Sequence, residues 1–96
     1  MKTLVIKDLV TGTSTNSEAV PLFLEMKSIV ESNTIVTLSF AGIDYVSSSF
    51  LNSSIGEFIE QFGFNYFASN VKFTNCNKDL ANMIKTYVAK TKTLAN

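Results

Sequence analysis

Three consecutive hydroxyls, Ser47, Ser48 and Ser49, stand just before a run of apolar residues at helical spacing: Leu51, Ile55, Phe58, Ile59 and Phe62. Hydroxyls in that position can do two things. One can accept a hydrogen bond from a first-turn backbone N–H and cap the helix, worth about 1 kcal/mol. One can also accept a phosphoryl group, whose charge of about −1.5 to −2 is tolerated where unpaired N–H groups and the positive end of the helix dipole converge. The residues alone leave both readings open, with Ser48 and Ser49 as the phospho-acceptor candidates.

The same helix offers a second feature. By the 3.6-residue period, Ser49, Asn52, Ser53, Gly56 and Glu60 share a face roughly opposite Leu51 and Ile55. That face is smooth, small and nearly uncharged. Glycine in a helix interior costs about 1 kcal/mol relative to alanine, a cost most easily understood if another backbone or helix approaches Gly56 closely. The face is therefore a candidate partner contact, made of Ser47, Ser48, Ser49, Phe50, Asn52, Ser53, Gly56 and Glu60, set against a solvated or internally packed surface.

Other chemistries find little support. The chain has no histidine, so a Ser-His-Asp arrangement in its usual form is excluded. Cys76 stands between two asparagines with no histidine or arginine to lower its pKa, which argues against a catalytic thiolate. No metal site is expected: zinc requires several Cys or His ligands, and Asp44, Glu57, Glu60 and Asp79 are spread over three elements. Gly12, Gly42, Gly56 and Gly63 stand alone, so there is no glycine-rich phosphate loop and no cofactor is expected. The reading is of a protein that is not an enzyme.

These residues need a scaffold to position them. Thr3-Leu4-Val5-Ile6 reads as a first strand ending near Val10, before the turn-prone Thr11–Asn16 stretch. Ser17 and Glu18 read as the cap and first-turn acid of a helix carrying Leu22, Phe23, Met26, Ile29 and Val30, with Pro21 in its first turn. Thr34–Phe40 reads as a central strand, the serine-led helix runs to a stop at Gly63, and Val71–Thr74 is a short strand. Asn75 and Asn77 offer caps to a last helix with the stripe Leu80, Met83, Ile84, Tyr87 and Val88. Phe64–Phe67 reads either as a fourth strand or as an aromatic plug. The expectation is an α/β domain with a mixed sheet of about four strands and about three helices, occupying 1–96 as a single unit.

Composition agrees with a small folded domain. At 96 residues the chain can bury about 60 to 70% of its unfolded surface in one core. Eight lysines balance eight acids and are scattered along the sequence, so nucleic acid is an unexpected ligand. No run of 18 apolar residues marks a membrane span, the N-terminal segment is too short for a secretory h-region, and the single cysteine suits a reducing compartment; the expected location is the cytoplasm.

The segment Val36-Thr37-Leu38-Ser39-Phe40, then Ala41-Gly42-Ile43, then Ser48-Ser49-Phe50-Leu51, closing on Phe62-Gly63, resembles the STAS-like family of small regulatory domains. In the related STAS domains that antagonise anti-sigma factors, the helix opens with Asp-Ser-Ser/Thr-Gly and the serine after the Asp is phosphorylated. Ser48 matches that serine and Ser49 the next hydroxyl, while Ser47 replaces the Asp and Phe50 replaces the Gly. The resemblance implies a non-catalytic regulatory protein-interaction domain in a bacterial partner-switching system, with phosphoserine as the switch and a histidine-kinase-like ATPase as the partner. From a different class, a self-associating scaffold domain that forms a homodimer is the alternative. A small-ligand site at the carboxyl ends of the strands, near Gly42 and Asn75, is a third reading.

Overall fold

The computed structural model describes residues 2–95, with side chains through residue 91. Strands β1 (Lys2–Val5), β2 (Val36–Ser39) and β3 (Val71–Thr74) form a parallel sheet in the order β1-β2-β3. The register pairs Leu4 with Leu38 and Leu38 with Phe73. The sheet is thus parallel where a mixed one was expected, and the described residues contain three strands instead of four.

Two readings of local sequence are corrected with it. Pairing to β2 ends at Val5, and the chain then folds into one helical turn, α1 (Ile6–Leu9), which buries Ile6. Phe64–Phe67, the candidate fourth strand, lies in helix α5 (Phe64–Asn70). Its rings do form the plug: Phe67 is buried against Phe58, Phe64 and Phe73. Gly63, with φ of 91°, turns the chain out of the preceding helix, and aromatic packing then decides the local state over β propensity.

Helix α2 (Asn16–Glu31) packs Ala19, Leu22, Met26, Ile29 and Val30 into the core. Its cap is Thr15, two residues earlier than Ser17. The Thr15 hydroxyl accepts from the Glu18 N–H, and the Glu18 carboxylate accepts from the Thr15 and Ser14 N–H groups, a reciprocal capping box. Pro21 consequently falls in the second turn, where it cannot supply the N–H that would bond the Ser17 carbonyl; Ser17 and Pro21 both lie on the exposed side of the helix.

The serine-led helix is one rod over 48–62: an α turn α3 (Ser48–Leu51), a π turn (Asn52–Gly56) and α4 (Glu57–Phe62). Counting it once, the described residues hold five helices, the last being α6 (Lys78–Ala95), capped where Asn77 Oδ1 accepts from the Leu80 N–H at 2.7 Å. Successive strands sit side by side in sequence order, so right-handed crossovers place α2 and the rod on the same face of the sheet. That face carries the buried Leu4, Val36, Leu38 and Val71. On the opposite face Thr3, Val5 and Lys72 are exposed.

Hydrogen bonds from the Ser14 N–H and then from Thr15 hold the Glu18 carboxyl below the ordinary glutamate range, against a smaller opposing effect of desolvation. The carboxylate's stabilising contribution is therefore complete above its unfolded-state pKa and is lost as pH falls through the lower folded-state value. An NMR titration should give Glu18 a midpoint below that of a free glutamate, and Thr15→Val should move it back upward.

Candidate functional site

The serine triplet divides by role once its neighbours are known. Ser47 has extended backbone, φ −84° and ψ 164°, and its hydroxyl accepts from the Phe50 N–H at 3.0 Å. The same hydroxyl donates to the Ser14 carbonyl at 2.8 Å, while the Ser47 N–H donates to Thr13 O at 2.9 Å. Ser47 is the cap, and it is fastened to the loop that leads into α2. Ser48 is exposed at the first helical position, and Ser49 is half-buried with its carbonyl accepting from Asn16 Nδ2 at 3.2 Å.

The polar face of the rod is covered from both sides by the chain's own helices. Asn16, at the start of α2, donates to Ser53 Oγ at 2.7 Å. From α6, the Tyr87 hydroxyl donates to Asn52 Oδ1 at 2.7 Å and stands directly over Gly56, where a Cβ would collide with it. The close approach that a mid-helix glycine suggested is real, and it comes from within the molecule. Burial pushes the Tyr87 phenol above its ordinary pKa, so the group stays protonated and able to donate.

Of the residues assembled from sequence as a contact, Ser48, Asn52 and Glu60 are exposed, and Ser47, Ser49, Ser53 and Gly56 are partly covered. Phe50 is 1% exposed and belongs to the core. The phenylalanine standing where the related motif has glycine therefore anchors the rod and does not crowd the surface near Ser48. Next to it, Ser54 is fully buried and returns its hydroxyl to the Phe50 carbonyl at 2.7 Å. That hydroxyl competes for the acceptor which an α turn would give to the Ser54 N–H, and the rod widens into its π turn at this point.

Residues from outside the serine motif complete the site. Ser48 borders a shallow groove with Asn82, Thr86 and Lys90 of α6. Thr13 reinforces the far side by donating to Tyr45 O at 2.6 Å. Asn16, Tyr87 and Lys90 carried no local signal in sequence; the apolar stripe of α6 marked Tyr87 as core, and its hydroxyl proves to be the part that meets the rod.

Elsewhere, a cleft at the carboxyl ends of β1 and β2 is bordered by Lys7, Gly12, Gly42 and Asp44, and Asn75 bonds Ser39 Oγ at 2.9 Å. Among the described residues no three His, Cys, Asp or Glu side chains converge, and no helix is long and apolar enough to cross a membrane.

A strand, a loop and a capped rod with its first serine side chain spent on the cap reproduce the order found in the sequence motif. A family model described as a STAS-like domain of unknown function (DUF4325) matches residues 18–81, more than half of the chain. The chain belongs to this family. Neither a curated protein nor a solved structure matches it. The matched span of this STAS-like domain runs from the capping box of α2 through the rod, α5 and β3 to the first turn of α6. Tyr87, which closes over Gly56, lies beyond it.

Two measurements check this geometry. Ser47→Ala should cost about 1 kcal/mol or more in urea unfolding, because both a cap and a tie to α2 are lost, whereas Ser48→Ala should be near neutral. Gly56→Ala ordinarily gains about 1 kcal/mol in a helix, but here it should gain nothing or destabilise because it displaces Tyr87. In a Tyr87→Ala background the same substitution should recover only part of that gain of about 1 kcal/mol, because the Leu51 carbonyl oxygen still stands 3.3 Å from the added Cβ.

Proposed function

We propose that this STAS-like domain is a non-catalytic regulatory module that works by binding another protein through the front of the rod. The observation that carries the reading is the division of labour at the rod's start: Ser47 makes the cap, which leaves the Ser48 hydroxyl exposed and structurally uncommitted. The contact surface in this reading is Ser48, Asn52 and Glu60 on the rod, extended by Asn82, Thr86 and Lys90 across the adjoining groove.

Ser48 is also the proposed phosphorylation site. A phosphoryl group there would meet the positive end of the rod, with Lys90 bordering the same groove, so the fold would tolerate the charge while the partner's view of the surface changed. Ser49 is the second candidate, less accessible because it is half-buried beside Asn16. By analogy with STAS domains of partner-switching systems, the partner is a histidine-kinase-like ATPase, which would supply nucleotide and phosphoryl transfer.

One observation favours a second reading, a self-associating scaffold. Parallel sheets are rarely bare on one face, yet here Thr3, Val5 and Lys72 are exposed on the face away from the helices. Sedimentation separates the two. A tight homodimer dispersed by Val5→Lys would favour self-association through the sheet; a monomer would favour a separate partner.

Co-purification from the host with mass spectrometry tests the leading reading. It predicts a stable protein partner, retained by Ser48→Ala and lost by Ser48→Asp, with the Ser48→Asp protein folded and its urea midpoint close to the parent's. No stable partner, together with unmodified Ser48 and Ser49, would count against it. Unfolding of Ser48→Asp would show the hydroxyl to be structural and end the switch.

A further inference from the structure

The groove between the start of the rod and α6, about 380 Å³, places Ser48 on the same surface as three side chains of that helix, Asn82, Thr86 and Lys90. Side chains four apart on a helix are neighbours, so these three form one stripe along α6. The stripe runs amide, hydroxyl, ammonium, and each of these groups donates hydrogen bonds. All three are exposed, and among the described residues none of the three side chains has a hydrogen-bond or ion-pair partner. No carboxylate borders the groove, on a chain that carries eight acids. A run of free donors ending in a cation, with no acid beside it, is complementary to an anion. Across the groove, Ser47 satisfies the Phe50 and Leu51 N–H groups, while those of Ser48 and Ser49 find no acceptor among the described residues.

We propose that Asn82, Thr86 and Lys90 form a receiving site for a phosphoryl group on Ser48, so that phosphorylation acts within the molecule by occupying the stripe the partner otherwise contacts. The inference rests on Ser48 being the switch, and it adds what the switch does. The occupant follows from connectivity. Ser48 is the exposed hydroxyl that the rod contributes to this groove, so a phosphoryl group carried on it is already beside the stripe. One ammonium in an open groove holds a free anion weakly; the same ammonium holds a tethered one far better, because tethering replaces a bimolecular encounter with a high effective concentration. In the unmodified protein the three donors remain free for acceptors on the partner, and the phosphate withdraws them. The three residues lie beyond the span 18–81 that matches the family model, so the receiving site belongs to this chain's own α6 and not to the matched motif.

Replacing Ser48 by phosphoserine during synthesis of the full chain tests this with neither kinase nor partner present. In ³¹P NMR the second ionisation of the phosphate, at a pKa of about 6 in a free phosphoserine, should fall by about half a pH unit. The Asn82 side-chain amide and the Thr86 methyl resonances should move along the same titration. Lys90→Gln, at an exposed position, should return the midpoint most of the way to that of a phosphoserine peptide. Thr86→Val should recover a smaller part, and Lys72→Gln, on the far face of the sheet, should change nothing. An unshifted midpoint with unmoved Asn82 and Thr86 resonances would overturn the proposal. So would a shift that survives Lys90→Gln undiminished, which would assign it to the rod's own N–H groups. A midpoint that changes with protein concentration would place the phosphate on a second copy of the chain and overturn it as well. A host that yields no partner would defeat the partner-binding function and leave this titration as it is; a failed titration would defeat the receiving site and leave partner binding standing.

Discussion

A single hydroxyl, that of Ser47, holds the starts of two helices together. It accepts from the rod's own Phe50 N–H and donates to the Ser14 carbonyl just ahead of α2. Around it, Thr13 reaches Tyr45 O and Asn16 reaches Ser49 O and Ser53 Oγ. Such bonds contribute on the order of 1 kcal/mol each, and their number along one seam matters more than any one of them. They fix where the rod begins, and therefore which serine caps and which faces outward. In the related phospho-switch motif an acidic residue occupies the place of Ser47; here a neutral hydroxyl performs the capping, and the first exposed hydroxyl follows it.

The rod depends on an equally specific contact at its middle. Ser54 takes the Phe50 carbonyl, the helix widens, and Gly56 brings the backbone close enough for Tyr87 to reach Asn52. The π turn, the glycine and the tyrosine form one device that seats α6 against the rod. It also shapes the surface beside the rod: it sets the groove in which Asn82, Thr86 and Lys90 stand beside Ser48. A helix seated differently would leave Ser48 on a bare helix tip.

The sheet explains why surface remains available elsewhere. With strands added in sequence order, the crossover helices accumulate on one side, and the core forms there alone. The aromatic cluster of Phe58, Phe62, Phe64, Tyr66, Phe67 and Phe73 fills the end of that core beneath β3. Where α6 parts from this cluster, an apolar groove lined by Phe73 and Ile84 opens. The sheet's far face and the groove are thus consequences of one topology.

Periodicity made the long helices, the central strand and the Val71–Thr74 strand legible from residues alone, because burial of a stripe or an alternating face writes itself into local spacing. The triplet's place at a helix start and the Gly63 stop were legible for the same reason. The end of β1 at Val5, the helical state of Phe64–Phe67 and the choice of Thr15 over Ser17 as cap were not, since each is decided by pairing or packing against distant residues. The chain's own spacing determined that a polar, glycine-bearing face would exist on the rod. Only the tertiary structure decided what covers it, because the partners that close over Ser53 and Gly56 come from residues 16 and 87, each more than 30 positions away, and no local pattern encodes a contact at that distance.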